Sequence, residues 1–162
     1  MDWIFWALLG AAAAHVAEEY FGGFIGYSRE FARRFKRLRF SVTLLQFILV
    51  NAAFLGLAAA AALVWPDHPV FCLSIPAVML INTCMHLVPM VATRRYSPGS
   101  ISALLLFVPL SIYAFHLADV AGLGNTVTVL SAFALGAFWM LITLASSLFW
   151  WAVSERLGNP EE

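Results

Sequence analysis

Charge is what this chain has least of. Only 11% of its 162 residues are Asp, Glu, Lys or Arg, whereas an ordinary soluble domain carries roughly 25%. With 62% of its residues hydrophobic, a water-soluble globule of this size lacks the polar surface to cover itself, so that class is excluded. Cysteine is nearly absent: Cys72 and Cys84 sit twelve residues apart in one apolar segment. On one helix that spacing is about 18 Å, far beyond disulfide reach. There is no Cys-x-x-Cys pair, so a disulfide framework is excluded and both cysteines are expected as buried apolar fillers. The alternation of a barrel strand is missing from every segment, which excludes a transmembrane β-barrel. Internal repeats are missing too. The net charge is zero and points to no class of partner.

What is present is apolar length. Five segments approach the roughly 20 mainly apolar residues that a bilayer crossing needs: 3–20, 40–65, 70–92, 99–122 and 125–153. Phe21-Gly22-Gly23, Pro66-Asp67-His68-Pro69, Thr93-Arg94-Arg95-Tyr96 and the region around Leu123 to Asn125 separate them. Asp2 precedes the first segment and the basic cluster follows it, the reverse of a signal peptide, so residues 3–20 are expected as a retained span. The fold class is therefore all-α: a single transmembrane helical domain over 1–162, with short connections favouring antiparallel neighbours. The nine basic residues lie in Arg29–Arg39, Arg94-Arg95 and Arg156. With five spans these places share one side, and the opposite loops carry no basic residue. The positive-inside rule makes that side cytoplasmic, with the N-terminus outside and the C-terminus inside. A bacterial inner membrane fits this layout.

Between the first two spans, Phe31, Phe35 and Leu38 recur at helical spacing among Arg29, Arg33, Arg34, Lys36, Arg37 and Arg39. The pattern predicts a basic amphipathic helix on the cytoplasmic interface, touching anionic lipid and anchoring the topology. Nucleic acid is not an expected partner for a segment flush against the bilayer.

Ionisable groups inside the apolar segments carry the functional signal. Each costs roughly 2.5–3.5 kcal/mol on insertion scales, yet the first span ends in His15-Val-Ala-Glu18-Glu19. At about 100° per residue, Glu18 and Glu19 flank the direction of His15. Asn82 and His86, at i and i+4, share a face of the third span, and Gln46 lies in the inner half of the second. At 1.5 Å per residue, His15 and Asn82 lie about 18 Å from the outer side and Glu18, Glu19 and His86 about 23–24 Å. Gln46 comes to a similar level, so polar groups from three helices converge in the inner half of the membrane. Single polar groups also serve as interhelical glue, worth about 0.6 kcal/mol on average, and Gln46 and Asn51 suit that role.

His15-x-x-Glu18-Glu19 near the end of a first span, Asn82-x-x-x-His86 in mid-chain and Tyr96-Ser-Pro98-Gly99 before the fourth span resemble the motifs of the HXXEE family. Its members are small multi-span proteins of unknown function. The resemblance covers most of the chain and implies a compact helical membrane domain. It marks His15, Glu18, Glu19, Asn82 and His86 as the site and supplies no reaction. His15-x-x-x-Glu19 on a span is also similar to the emopamil-binding sterol isomerases, a two-residue analogy of chemistry.

Two adjacent carboxyls in a low-dielectric bundle can hardly both stay charged. One of Glu18 and Glu19 is expected to hold a proton while the other, or His15, accepts. That suits general acid–base work, namely isomerisation, cyclisation, epoxide opening or hydration of a lipophilic molecule, with His86 as a further proton-transfer group. Asn82 and Gln46 would orient the substrate, and walls rich in Phe (14) and Trp (6) suit an oily one. No cofactor is required. Zinc or iron is the alternative, because His15, His86 and one of the two glutamates form a two-histidine, one-carboxylate set. Proton-coupled transport and a non-catalytic membrane subunit complete the alternatives, and the oligomeric state stays open. His116 and Asp119 are expected as a separate interfacial pair, His68 as a solvated turn residue, and Pro109 as a kink in the fourth span.

Overall fold

Helix signals bracket the apolar runs and set their limits. Thr43 caps the first helix after the basic segment, its hydroxyl accepting from the Gln46 N–H at 3.2 Å. Pro69 opens the next helix at a position where its missing N–H is not needed. The Asn125 side chain accepts from the Thr128 N–H at 3.0 Å and starts the last helix. The computed structural model describes residues 3–34 and 42–156. Its helices are α1 (Trp3–Phe21), α2 (Phe24–Arg34), α3 (Leu44–Val64), α4 (Pro69–Thr93), the single turn α5 (Ser100–Ser102), a π-helical turn (Ala103–Phe107), α6 (Val108–Val120) and α7 (Thr126–Arg156). No strand occurs among the described residues.

Four stretches among the described residues are long and apolar enough to cross a membrane: Leu44–Val64, Pro69–Thr93, Ser100–Val120 and Thr126–Val153. They match the predicted spans 40–65, 70–92, 99–122 and 125–153. The predicted span 3–20 forms a helix, α1, but is not among the four, because His15, Glu18 and Glu19 dilute its apolar content. Near Pro109 the fourth stretch widens instead of only bending. Pro109 has no N–H for the Leu105 carbonyl, and one residue earlier the Val108 N–H bonds Ala103, five residues back.

The core gathers on α1 and α4. Ile4, Phe5, Leu8, Ala11, Ala12, His15 and Glu19 form one buried stripe along α1. Against it pack Ala58, Ala61 and Ala62 of α3, Leu73, Ile75 and Met79 of α4, and Phe107, Ala114 and Ala118 from the π turn and α6. Small residues let these backbones approach closely. The most extensive helix pair is α4 with α7. At Gly136 an added Cβ would lie 3.1 Å from the Val78 nitrogen and 3.2 Å from the Ala77 Cβ, so any side chain there would crowd the backbone of α4.

Two expectations are corrected. Cys72 is buried, its Sγ reaching the Ala61 carbonyl at 3.4 Å, but Cys84 is exposed. It lies on the outward face of α4 with Met85 and Val88, where an apolar thiol faces the surroundings of the bundle and not its core. The amphipathic helix begins at Phe24, directly after the Gly22-Gly23 break and ahead of the Arg29–Arg39 segment that predicts it. Phe35, Leu38 and Arg39, which the pattern assigns to it, lie outside the described residues.

Replacing Gly136 by Leu drives a side chain into the backbone of α4. We expect a loss of about 1–3 kcal/mol, the range for overpacked cores, read as a lower unfolding midpoint in a detergent titration. An unchanged midpoint would refute the close α4–α7 contact.

Candidate functional site

The buried stripe of α1 ends in chemistry. His15 and Glu19 continue the line of Leu8 and Ala12, and both are buried. Opposite them, Asn82 and His86 project from α4. The Asn82 amide lies 2.9 Å from His15 Nε2, and Glu19 Oε1 lies 3.3 Å from His86 Nε2 and 3.6 Å from His15 Nε2. His15 thus meets Asn82 as Glu19 meets His86, so the two helices run side by side in the same direction. The two imidazole rings stand edge to face with centroids 5.0 Å apart.

Serines hold the far side of both rings. His15 Nδ1 is 2.9 Å from Ser102 Oγ, and His86 Nδ1 is 3.2 Å from Ser97 Oγ. Ser102 Oγ donates to the Gly99 carbonyl at 3.2 Å, so it accepts from His15 Nδ1–H. This network assigns His15 the tautomer whose bare Nε2 accepts from the Asn82 amide. Phe107, delivered by the π turn, lies against the His15 ring at 4.5 Å, and Phe24 of α2 lies 5.6 Å from His86. Gly99 closes one side with φ +98°, and a Cβ there would come 2.7 Å from His86 Cε1 and 2.8 Å from His15 Cε1. Glycine is required at this position on both counts.

Glu18 takes a different task from its neighbour. Its Oε1 accepts from the Tyr96 hydroxyl at 2.5 Å, the Gly99 N–H at 3.0 Å and the Ile101 N–H at 3.1 Å. Its Oε2 accepts from the Ser102 N–H at 2.7 Å. These are the first N–H groups of the helix that starts at Ser100, which have no partner within the helix and favour an anion. Partial burial, then the hydrogen bond to Glu18 and its charge, push the Tyr96 phenol up to about 12, so it stays a donor through the neutral range.

His15, Glu19, Asn82 and His86 also line a cavity of about 840 Å³ whose other walls are mainly apolar. Phe24, Tyr27 and Phe31 of α2, Phe47 and Phe54 of α3 and Trp139 of α7 contribute to it. Leu49 of α3 and Ile142 and Leu148 of α7 line it and are also exposed, so it opens sideways between those helices. Of the six residues singled out in the sequence, four meet at one wall. Glu18 does not line the cavity. Gln46 lines it but donates to Ser146 and Ser147 of α7, at 2.8 and 2.6 Å. His116 and Asp119 are exposed on α6, and His68 is exposed before α4. Ser97 was within reach of sequence reasoning through the Tyr96–Gly99 motif; Ser102 and the aromatic residues of α2 carry no such signal.

A family model described as "Protein of unknown function with HXXEE motif" matches residues 6–114, well over half of the chain. The chain belongs to the HXXEE family. The matched HXXEE region contains the whole His15–Glu19–Asn82–His86 cluster and the Tyr96–Ser102 segment that supports it, whereas α7 lies beyond it. No curated protein and no solved structure matches. Among the described residues, His15, Glu19 and His86 are the group able to hold a metal ion, with their ligand atoms all within 4.8 Å of one another.

Glu18→Ala leaves three N–H groups at a helix start without an acceptor. Stability should fall by about 1–3 kcal/mol, and hydrogen exchange should quicken at Gly99, Ile101 and Ser102. Glu18→Gln, which keeps an acceptor oxygen, should lose less. Wild-type exchange at those amides in the alanine variant would show that Glu18 does not hold the segment.

Proposed function

We propose that this protein is an intramembrane enzyme performing general acid–base chemistry on a lipophilic molecule. One observation carries the proposal: a buried imidazole–carboxylate–imidazole set forms one wall of an apolar cavity that opens sideways. A cavity of about 840 Å³ suits one lipid-sized molecule. In an apolar chamber, proton donors and acceptors act with little competition from water, which suits isomerisation, cyclisation, epoxide opening or hydration. Glu19 Oε1 and His86 Nε2, 3.3 Å apart, are the pair to which we assign proton transfer, and His15 Nε2 joins them when the Asn82 amide turns from it to the substrate. Asn82 orients the reacting polar group, and Gln46 orients a more distant one. Glu18 enters as a positioning residue, since all its contacts go to the segment carrying Ser97, Gly99 and Ser102.

The topology belongs to the same proposal. At about 1.5 Å per residue, the 19 residues of α1 span about 28 Å, close to a hydrocarbon core. We take α1 as a fifth crossing, with the N-terminus outside and the C-terminus in the cytoplasm. Glu18 meets Tyr96–Ser102, Glu30 pairs with Arg95, and Gln46 meets Ser146 and Ser147. These contacts gather the ends of the helices that carry basic residues at one end of the bundle, as the positive-inside rule asks. The location proposed is the bacterial inner membrane, with α2 against its lipids.

Purified protein in liposomes made from total membrane lipid should convert at least one species. A shift in chromatographic retention at constant mass marks isomerisation or cyclisation, and a gain of one water marks hydration or epoxide opening. Glu19→Gln and His86→Gln should each reduce conversion by about 10²–10⁴-fold with folding preserved. Equal conversion by wild type and Glu19→Gln, or none by any form, would reject the catalytic proposal. For the topology, alkaline phosphatase fused after Asp67 or Gly122 should be active and after Arg95 inactive; activity after Arg95 would overturn it.

A further inference from the structure

We infer that His15, His86 and Glu19 bind one divalent first-row metal ion, zinc in the first instance. Zinc bonds of about 2.0–2.1 Å at tetrahedral angles set ligand atoms about 3.3 Å apart. Glu19 Oε1 already lies 3.3 Å from His86 Nε2 and 3.6 Å from His15 Nε2, and all three atoms fall within 4.8 Å of one another. To surround an ion the most distant pair must draw in from at most 4.8 Å to about 3.3 Å.

Further features of the cluster suit a metal site. Both imidazoles present Nε2 to the shared carboxylate oxygen while Nδ1 is held from behind by a serine hydroxyl. That outer partner fixes ring orientation at metal sites. Ser102 spends its own proton on the Gly99 carbonyl, so His15 carries its proton on Nδ1 and keeps the Nε2 lone pair that a metal requires. The Asn82 amide occupies that lone pair, and turning the amide over offers its oxygen to the same point. Gly99 and Phe107 cover the cluster on its other sides, leaving the cavity as the open direction. Three protein ligands with one open position describe a catalytic metal site. In the proposed reaction an ion here would supply the Lewis acid, with the three side chains as its ligands. Its binding does not depend on the lipid substrate.

The test uses the full chain purified in detergent without chelator. Elemental analysis should find about one zinc per chain in wild type. The same content should persist after joint replacement of the exposed His68 and His116 by Ala, and disappear in His86→Gln and Glu19→Gln. Cobalt(II) added to chelator-stripped wild type should give visible absorption bands that zinc abolishes. Ser97→Ala and Ser102→Ala, which leave the ligands in place, should weaken cobalt binding roughly tenfold, and they carry the test if the ligand variants do not fold. Stripped protein that takes up neither ion, or equal binding by wild type and His86→Gln, overturns the site. Lipid conversion that persists after chelation in a protein that binds no metal keeps the acid–base proposal and ends this one. Stoichiometric zinc in a protein that alters no lipid does the reverse.

Discussion

One carboxylate holds the polar end of this bundle together. Glu18 accepts three backbone N–H groups and a phenol from Tyr96–Ser102, and so joins the end of α1 to the start of the next long helix after α4. Those N–H groups would otherwise begin a helix in an apolar setting with no acceptor, a cost of the order of 1–3 kcal/mol each. The charge on Glu18 would be equally costly alone. Each solves the problem of the other, and the helix dipole adds to the attraction. Because the clamped segment also carries Ser97, Gly99 and Ser102, the orientation of both imidazoles follows from this contact. The histidines are not set by α1 and α4 alone.

The packing around that clamp explains why polar groups persist on α1. Alanines on α1, α3 and α6 let the helices close around the buried stripe, so its polar end is enclosed by protein and away from lipid. His15 has partners on both ring nitrogens, and Glu19 lies between two imidazoles. A set this fully partnered offsets the insertion cost of its members, while any single member stripped of its partners would not. Toward the cavity the arrangement changes: α2, α3 and α7 supply mostly aromatic and aliphatic surface, and α3 and α7 stay far enough apart to leave a side opening. One wall of the cavity is thus polar and hydrogen-bonded, and the others are mainly apolar.

Much of this was legible in the sequence, and the reasons are local. Unbroken apolar runs between Pro, Gly and Arg clusters gave the long helices, and i, i+4 spacing put Asn82 and His86 on one face. Matched depth set His15 level with Asn82, and Glu18, Glu19 and His86 level with one another, without saying which of them touch. What stayed hidden depends on rotation and on distant partners. Depth cannot separate Glu18 from Glu19, which differ by one residue of rise and a large angle. Cys84 reads like Cys72 by composition, but Cys72 is buried and Cys84 is exposed on α4. Ser102 is one serine among many until the chain folds it against His15, 87 positions away. The aromatic residues of α2 look like an interfacial anchor in sequence; that they also wall the cavity follows from the turn at Gly22-Gly23, which folds α2 back under α4.

The doubled glutamate then has a geometric explanation. A helix advances about 100° per residue, so a side chain four residues after His15 stays on its stripe and one three residues after it leaves sideways. Glu19 therefore faces the imidazoles and Glu18 faces the neighbouring helix start. No wider spacing on one helix would serve both targets at the same depth. The division also settles how charge is distributed. Glu18 has its carboxylate engaged by four donors, so Glu19 alone lies between the two imidazoles. Two adjacent carboxyls sharing one pocket would each disturb the protonation of the other. Pointed apart, Glu18 serves as scaffold for the Tyr96–Ser102 segment and Glu19 faces the imidazoles.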